Sequence, residues 1–314
     1  MTLRPMSATA AIALLAALVA AAAAPRRFVV DGLSMAPGLM PGAVVATGWF
    51  PAGDRLTRPD RLETWVVAAP DGERAVKRLI GLPGDVVAVA SGDVLIDGEP
   101  LLKQPPELAQ VAVPVPIRGV VAGGRLEIAP REVLDDAAFA REVNRPLEPV
   151  ADVGMTVTIR AADLPGSLVA GVEDARIGWR VAAGERCVVL AGRLDGHVVA
   201  VAWRVHRLEP TDAGRPLPDR VPRAWSVATR RTSVAGRPTL SPGLSLESDP
   251  PVVVEDVRIW RDVLVRPTAG GTTSWRLGPD EHLLLGDFPT GSVDGRQWGP
   301  LPRRALRQRV SRLR

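Results

Sequence analysis

Lys77-Arg78-Leu79-Ile80-Gly81-Leu82-Pro83-Gly84-Asp85 governs the reading of this chain. Ala75 to Ile80 is a short apolar-rich run that predicts a strand, and Gly81-Leu82-Pro83-Gly84 predicts the turn that ends it. The stretch holds one of only two lysines among 314 residues, against 37 arginines. A chain this biased keeps a lysine either by chance or where arginine cannot serve. Arginine stays protonated at any workable pH, whereas a buried lysine can lose its proton and act as a base. Taken alone, the count favours chance, so the meaning of Lys77 rests on its companions.

Those companions lie at both ends of the chain. Upstream are Val29-Val30-Asp31-Gly32-Leu33-Ser34-Met35-Ala36-Pro37 and Leu39-Met40-Pro41-Gly42. A Ser before an extended X-Pro stretch is common in loops, so Ser-Met-x-Pro says little by itself. Trp65-Val66-Val67-Ala68-Ala69-Pro70 predicts a buried strand. Near the far end, Leu283-Leu284-Leu285 predicts a third strand running into Gly286-Asp287-Phe288-Pro289-Thr290-Gly291-Ser292-Val293-Asp294-Gly295-Arg296. Ahead of all of these, Ala8 to Ala24 is uncharged and almost wholly apolar, with Arg4 before it and Pro25-Arg26-Arg27 after it. Its length falls between a signal-peptide core and a full span. Ala22-Ala23-Ala24 would suit cleavage, but Pro25 opposes it. Retained, residues 1–27 form a single-pass anchor, and Ser34 stays near the bilayer surface. Either way the chain is directed to export.

In this order, the anchor, Ser-Met-x-Pro, Lys-Arg-x-x-Gly-x-Pro-Gly-Asp and Gly-Asp-x-x-x-x-Ser-x-Asp-x-Arg resemble type I signal peptidase, the membrane-anchored serine protease of the bacterial export pathway. The resemblance implies a β-rich catalytic core on the extracytoplasmic side of the cytoplasmic membrane. It implies that exported preproteins are cut after Ala-x-Ala and that no cofactor is used. Ser34 matches the nucleophile, Lys77 its base and Ser292 the residue that orients the lysine. Arg78 with Asp287, and Asp294 with Arg296, match bracing pairs. Three positions depart from the usual pattern: Gly32 where a hydroxyl often helps hold the oxyanion, Phe288 for Asn, and Gly295 for Ser. The chemistry agrees with the resemblance. A Ser hydroxyl needs a nearby base, and bringing a lysine from about 10.4 to near neutrality takes roughly 4 kcal/mol, which desolvation can supply.

Composition narrows the alternatives. Gly and Pro at 30 each, few aromatics and many Val predict strands and turns, hence a mainly β fold. The pI near 10.3 reflects Arg replacing Lys in a chain without Tyr, and a net charge of +4 is modest, so nucleic acid is not expected as a partner. The arginines at 303, 304, 307, 309, 312 and 314 read as a solvated tail, with membrane headgroups the second choice. Cys187, the one cysteine, excludes an intramolecular disulfide and reads as a buried apolar residue. His197, His206 and His282 share no metal-like spacing.

About 200 residues separate Asp85 from Gly286, far more than a connection requires. The expected division is a first catalytic part at 28–102, an inserted β-sandwich with linkers at 103–267, and a second catalytic part at 268–314. Gln104-Pro105-Pro106 to Pro114-Val115-Pro116 reads as a linker that leaves Lys103 exposed. The runs at 155–159, 176–181, 187–190, 197–203, 244–246, 252–254 and 257–265 read as short strands without helical period. They resemble the jelly-roll insertions of some signal peptidases. Trp179, Trp203, Trp225 and Trp260 either line a groove for an unknown ligand or, as strand alternation favours, pack in the core. No calcium-loop spacing and no internal repeat occur. Two other classes compete with the peptidase: a non-catalytic membrane-anchored binding protein, and a self-cleaving repressor, whose helix-turn-helix is replaced here by an apolar run.

Overall fold

The computed structural model describes residues 26–47, 58–90, 92–116, 119–122, 125–136, 145–205, 217–218, 221–223, 230–231, 240–267 and 273–313. The apolar run Ala8–Ala24, and with it the anchor, lies outside these residues, as do Trp49, Phe50, His206, Trp225 and Arg314. Among the described residues no helix is long and apolar enough to cross a membrane. The fold is mainly β.

Both ends of the chain build one seven-stranded sheet. Its order is Arg27–Val29, Val44–Thr47, Leu306–Leu313, Thr64–Ala68, Arg74–Gly81, Glu281–Leu285, Leu301–Pro302. Period-two alternation assigns the faces of Arg74–Gly81. Ala75 and Leu79 pack with Trp65, Val67, Leu284 and Trp298, and Lys77, directly opposite Trp65 in the ladder, shares that face. Ile80 turns the other way, into a core with Val87, Trp275, Leu283 and Leu285. That core is closed by a four-stranded sheet in the order Ser274–Arg276, Val86–Ala90, Asp93–Ile96, Glu99–Pro100. The Asp97-Gly98 turn has positive φ at both residues, 52° and 85°, as a tight hairpin requires.

The basic tail is not a solvated segment. Leu306–Leu313 is an interior strand, between Val44–Thr47 and Thr64–Ala68. Leu306 and Gln308 are buried while Arg307 and Arg309 are exposed, an alternation that the run of arginines conceals. Arg309 pairs with Glu63 at 2.8 Å, and the Arg303 guanidinium lies 5.2 Å from the Trp65 ring.

The middle of the chain forms two more sheets that share one core. Ala175–Val181, Gly166–Val172, Leu244–Asp249, Arg125–Ile128 and Val120–Ala122 make the five-stranded sheet. Arg230–Arg231, His197–Arg204, Arg186–Leu194, Val153–Arg160, Val253–Arg261 and Val113–Val115 make the six-stranded one. Leu126, Leu168, Val172 and Leu246 of the first share one core with Met155, Val157, Val189 and Ile259 of the second, so the two sheets pack face to face. Trp260 is fully buried, Trp179 half-buried against the core, and the Cys187 thiol is pushed up to about 12 by burial and by Glu185.

The Pro-rich linker is instead a helix, Pro105–Val111, with its prolines in the first turn, where a missing N–H costs nothing. Pro105, Leu108 and Val111 are buried. Lys103 likewise contradicts the expectation of an exposed residue. Its ammonium donates to Asp195 Oδ1 at 2.6 Å and Asp262 Oδ2 at 2.8 Å, and its backbone N–H donates to Asp195 Oδ2 at 2.8 Å. Those carboxylates lie 92 and 159 positions away, beyond the reach of local sequence. Lys103→Met should therefore destabilise the protein by about 3–5 kcal/mol, because it leaves buried carboxylates uncompensated. In urea unfolding the loss should be larger at pH 8 than at pH 5, where Asp195, pushed up to about 7 by burial, is protonated and needs no counter-charge.

Candidate active site

Lys77 occupies the middle of its strand, 3 % exposed. No hydrogen bond or ion pair holds its ammonium among the described residues, and its recorded neighbour is the Trp298 ring, 5.8 Å away. Burial removes water from the charged form and lowers its pKa. The charges of Asp294 and Asp287 oppose the shift, Arg296 assists it, and the balance is about 8. About one lysine in ten is then neutral at pH 7.

The ladder that pairs Leu284 with Leu79 and Leu285 with Arg78 brings Gly286 next in line with Lys77. A Cβ on Gly286 would strike Ser292 Oγ and come within 2.5 Å of the Ser34 carbonyl oxygen, so only glycine lets these three segments close together. The Phe288 N–H donates to that Ser34 carbonyl at 3.0 Å, which fixes the serine loop against the C-terminal segment. Ser34 is half-buried. Ser292 Oγ is buried and has no hydrogen-bond partner. The structure thus gathers the segments of Ser34, Lys77 and Ser292, while no hydrogen bond joins the three side chains to one another. Catalytic contacts of this kind often tighten only when substrate is bound.

Two charged pairs frame the cluster. Arg78 Nε and a terminal nitrogen donate to the two Asp287 oxygens at 2.7 Å each, a fork geometry in which both side chains are buried. Asp294 accepts from the Gly286 N–H at 2.8 Å, from the Arg296 N–H at 3.1 Å and from the Arg296 guanidinium at 2.8 and 2.9 Å. Burial works to raise this carboxyl, but Arg296 and the two N–H groups hold it below its ordinary range. It also caps the Gly295–Trp298 helix, reciprocated by Gln297.

Residues 3–112 match the family model described as signal peptidase, peptidase S26. The chain is similar to the signal peptidase family over this segment. It contains Ser34, Lys77 and Arg78, whereas the segment from Gly286 to Arg296 lies outside it. No curated protein matches the chain.

The three departures from the signal peptidase pattern have distinct physical settings. Gly32 is exposed, and a Cβ there would meet nothing within 4 Å, so glycine is not demanded by space. Phe288 is buried, and its ring lies where a Cβ on Gly291 would stand. Gly295 is demanded: a Cβ would come within 2.7 Å of the Leu284 carbonyl oxygen and 2.8 Å of Leu283 Cδ1. Sequence reasoning did not single out Trp298, beside the lysine, or Gln110, whose side-chain oxygen accepts from Arg78 at 3.0 Å. The Asp294…Gln297 capping pattern was the available signal for the first. For Gln110 there was none.

Two expectations follow from this geometry. Gly295→Ser should cost about 1–3 kcal/mol by overpacking, read as a lowered melting temperature. Lys77→Met should stabilise the fold by about 3 kcal/mol at pH 6, where the folded parent must keep a desolvated ammonium. Between pH 8 and 10.5 the folded parent releases that proton while the unfolded chain keeps it, so the parent gains stability and the difference should shrink. Denaturant melts of both proteins at pH 6 and pH 10 test this sign.

Proposed function

We propose that this protein is a membrane-bound serine endopeptidase that removes signal peptides from exported preproteins, with Ser34 as nucleophile and Lys77 as general base. The observation that carries the reading is the desolvated Lys77 amine, without a counter-ion and in line with the Gly286 contact between Ser34 and Ser292. Ser34 Oγ bonds to the scissile carbonyl carbon as its proton passes to Lys77 Nζ. The Ser34 N–H, for which no acceptor exists among the described residues, stabilises the oxyanion alone, since Gly32 offers no hydroxyl. Collapse breaks the C–N bond, and Lys77 returns the proton to the leaving amine. Water then gives a proton to Lys77 as its oxygen bonds to the ester carbonyl carbon, and Lys77 passes that proton to Ser34 Oγ as the ester C–O bond breaks. Ser292 orients the amine, while Arg78–Asp287 and Asp294–Arg296 hold the backbone around it.

The substrate reading, cleavage after Ala-x-Ala, rests on the family alone. The membrane reading gains support from Val29 and Val44, which pair across the first two strands and are 71 % and 36 % exposed, near Met40 at 39 %. In the proposed organisation, the middle sheets form an insert between the two halves of the catalytic lobe.

Detergent-solubilised protein given a preprotein ending in Ala-x-Ala should process it, with activity rising through about pH 8 as Lys77 deprotonates. Ser34→Ala and Lys77→Arg should each lower the rate by about 10³-fold or more. A Lys77→Arg protein that works near the parent rate would defeat the mechanism and favour a binding scaffold.

A further inference from the structure

We infer, resting on the peptidase reading above, that Gln110 is a positioning residue through which the helix Pro105–Val111 ties the middle sheets to the Ser34 loop. The helix has two working sides. On one, Leu108 and Val111 pack with Leu190, Leu194, Val201 and Trp260 of the six-stranded sheet. On another, Glu107 and Gln110, three positions apart, approach Arg78, the first by its charge and the second by a hydrogen bond. The Gln110 amide is held at both ends. Its nitrogen donates to the Pro106 carbonyl at 3.2 Å, and its oxygen accepts from Arg78 at 3.0 Å. Only a neutral amide satisfies both, because a carboxylate would set an oxygen against the Pro106 carbonyl. The Arg78 nitrogen that donates to Gln110 also donates to Asp287 Oδ2 at 2.7 Å, so the amide fixes the plane of the fork without competing for its charge.

Gln110 reaches the Ser34 loop from two directions. Through Arg78 and Asp287 it steadies the segment whose Phe288 N–H donates to the Ser34 carbonyl at 3.0 Å. Directly, its backbone carbonyl oxygen stands where a Cβ on Gly38 would be, so helix and loop touch backbone to backbone. The loop between is a closed unit: the Leu39 N–H donates to the Met35 carbonyl at 2.8 Å, and the Ala36 N–H to the Leu33 carbonyl at 2.9 Å. A displacement at Gly38 is therefore passed to Ser34. The second route also touches the base. The charged groups around the Lys77 amine are Asp294, Asp287 and Arg296, and those around Arg78 are Asp287 and Glu107. Asp287 is the group that both share. A less firmly forked Asp287 has more of its charge available to the amine, which then holds its proton to higher pH.

The test compares the full chain with its Gln110→Met variant, both in detergent, on a preprotein ending in Ala-x-Ala. Methionine keeps the length and the helix but makes neither amide contact. The kcat per folded molecule should fall about ten-fold, with KM within about two-fold of the parent value. A second readout needs no turnover, because the chain has only two lysines. In lysine-labelled protein followed by NMR, the midpoint of the Lys77 titration should move up by about half a pH unit. A folded variant with an unmoved midpoint, or with the parent kcat, would overturn the inference and leave the peptidase reading standing. A lowered melting temperature with kcat and midpoint both unchanged would reduce Gln110 to packing. A parent that leaves the preprotein uncut would sink the peptidase reading instead, and the Lys77 midpoint alone would then decide whether Gln110 positions the amine. If Gln110→Met does not fold, Gln110→Ala, with the best helix former in its place, carries the same two readouts.

Discussion

A positive charge buried in a sheet without a counter-ion is the constraint around which the lobe built from the two chain ends is arranged. Lys77 loses its water to Trp65, Trp298 and the strands on either side, and its acidic neighbours are each claimed by an arginine. Asp287 is forked by Arg78 and Asp294 by Arg296, so neither carboxylate approaches the lysine. Had one of them been released, it would have drawn the ammonium into an ion pair and restored an ordinary pKa. The arginines therefore act on Lys77 indirectly, by occupying the acids that would otherwise pair with its ammonium. Gly286 and Gly295 are needed because the segments that carry these groups pass too closely for any side chain.

The two lysines show opposite outcomes of the same burial. Both lie in closed surroundings, and desolvation lowers the pKa of each. Lys77 meets no partner and falls to about 8, whereas Lys103 meets two carboxylates and is driven above its ordinary value. What separates an uncompensated amine from a structural cation is whether folding leaves a carboxylate free to reach it, a property that neither residue carries in its own sequence.

The residues of the candidate site were legible because each sits in a short motif whose spacing is local: Lys77 next to Arg78, and Asp287, Ser292, Asp294 and Arg296 within ten positions. The β character and most middle strands were legible from apolar runs and turns. Three features were hidden for physical reasons. The terminal strand alternates correctly, but its outward positions are arginines, and these dominate the eye. The helix at Pro105 begins with prolines, which signal a break except at a first turn. Lys103 owes its role to carboxylates that only folding brings near.

The position of Leu306–Leu313 has a further consequence for when the lobe can exist. It is laid between two strands that precede it in the chain by more than 200 residues, so the early strands emerge from the ribosome as an open sheet with its middle missing. Everything from Val86 to Leu285 is synthesised before that gap can close. The middle sheets hold all their own strands within that interval and can fold first. The lobe built from the two chain ends is thus a late product of synthesis, and the surroundings that desolvate Lys77 close only once the last strand has been placed.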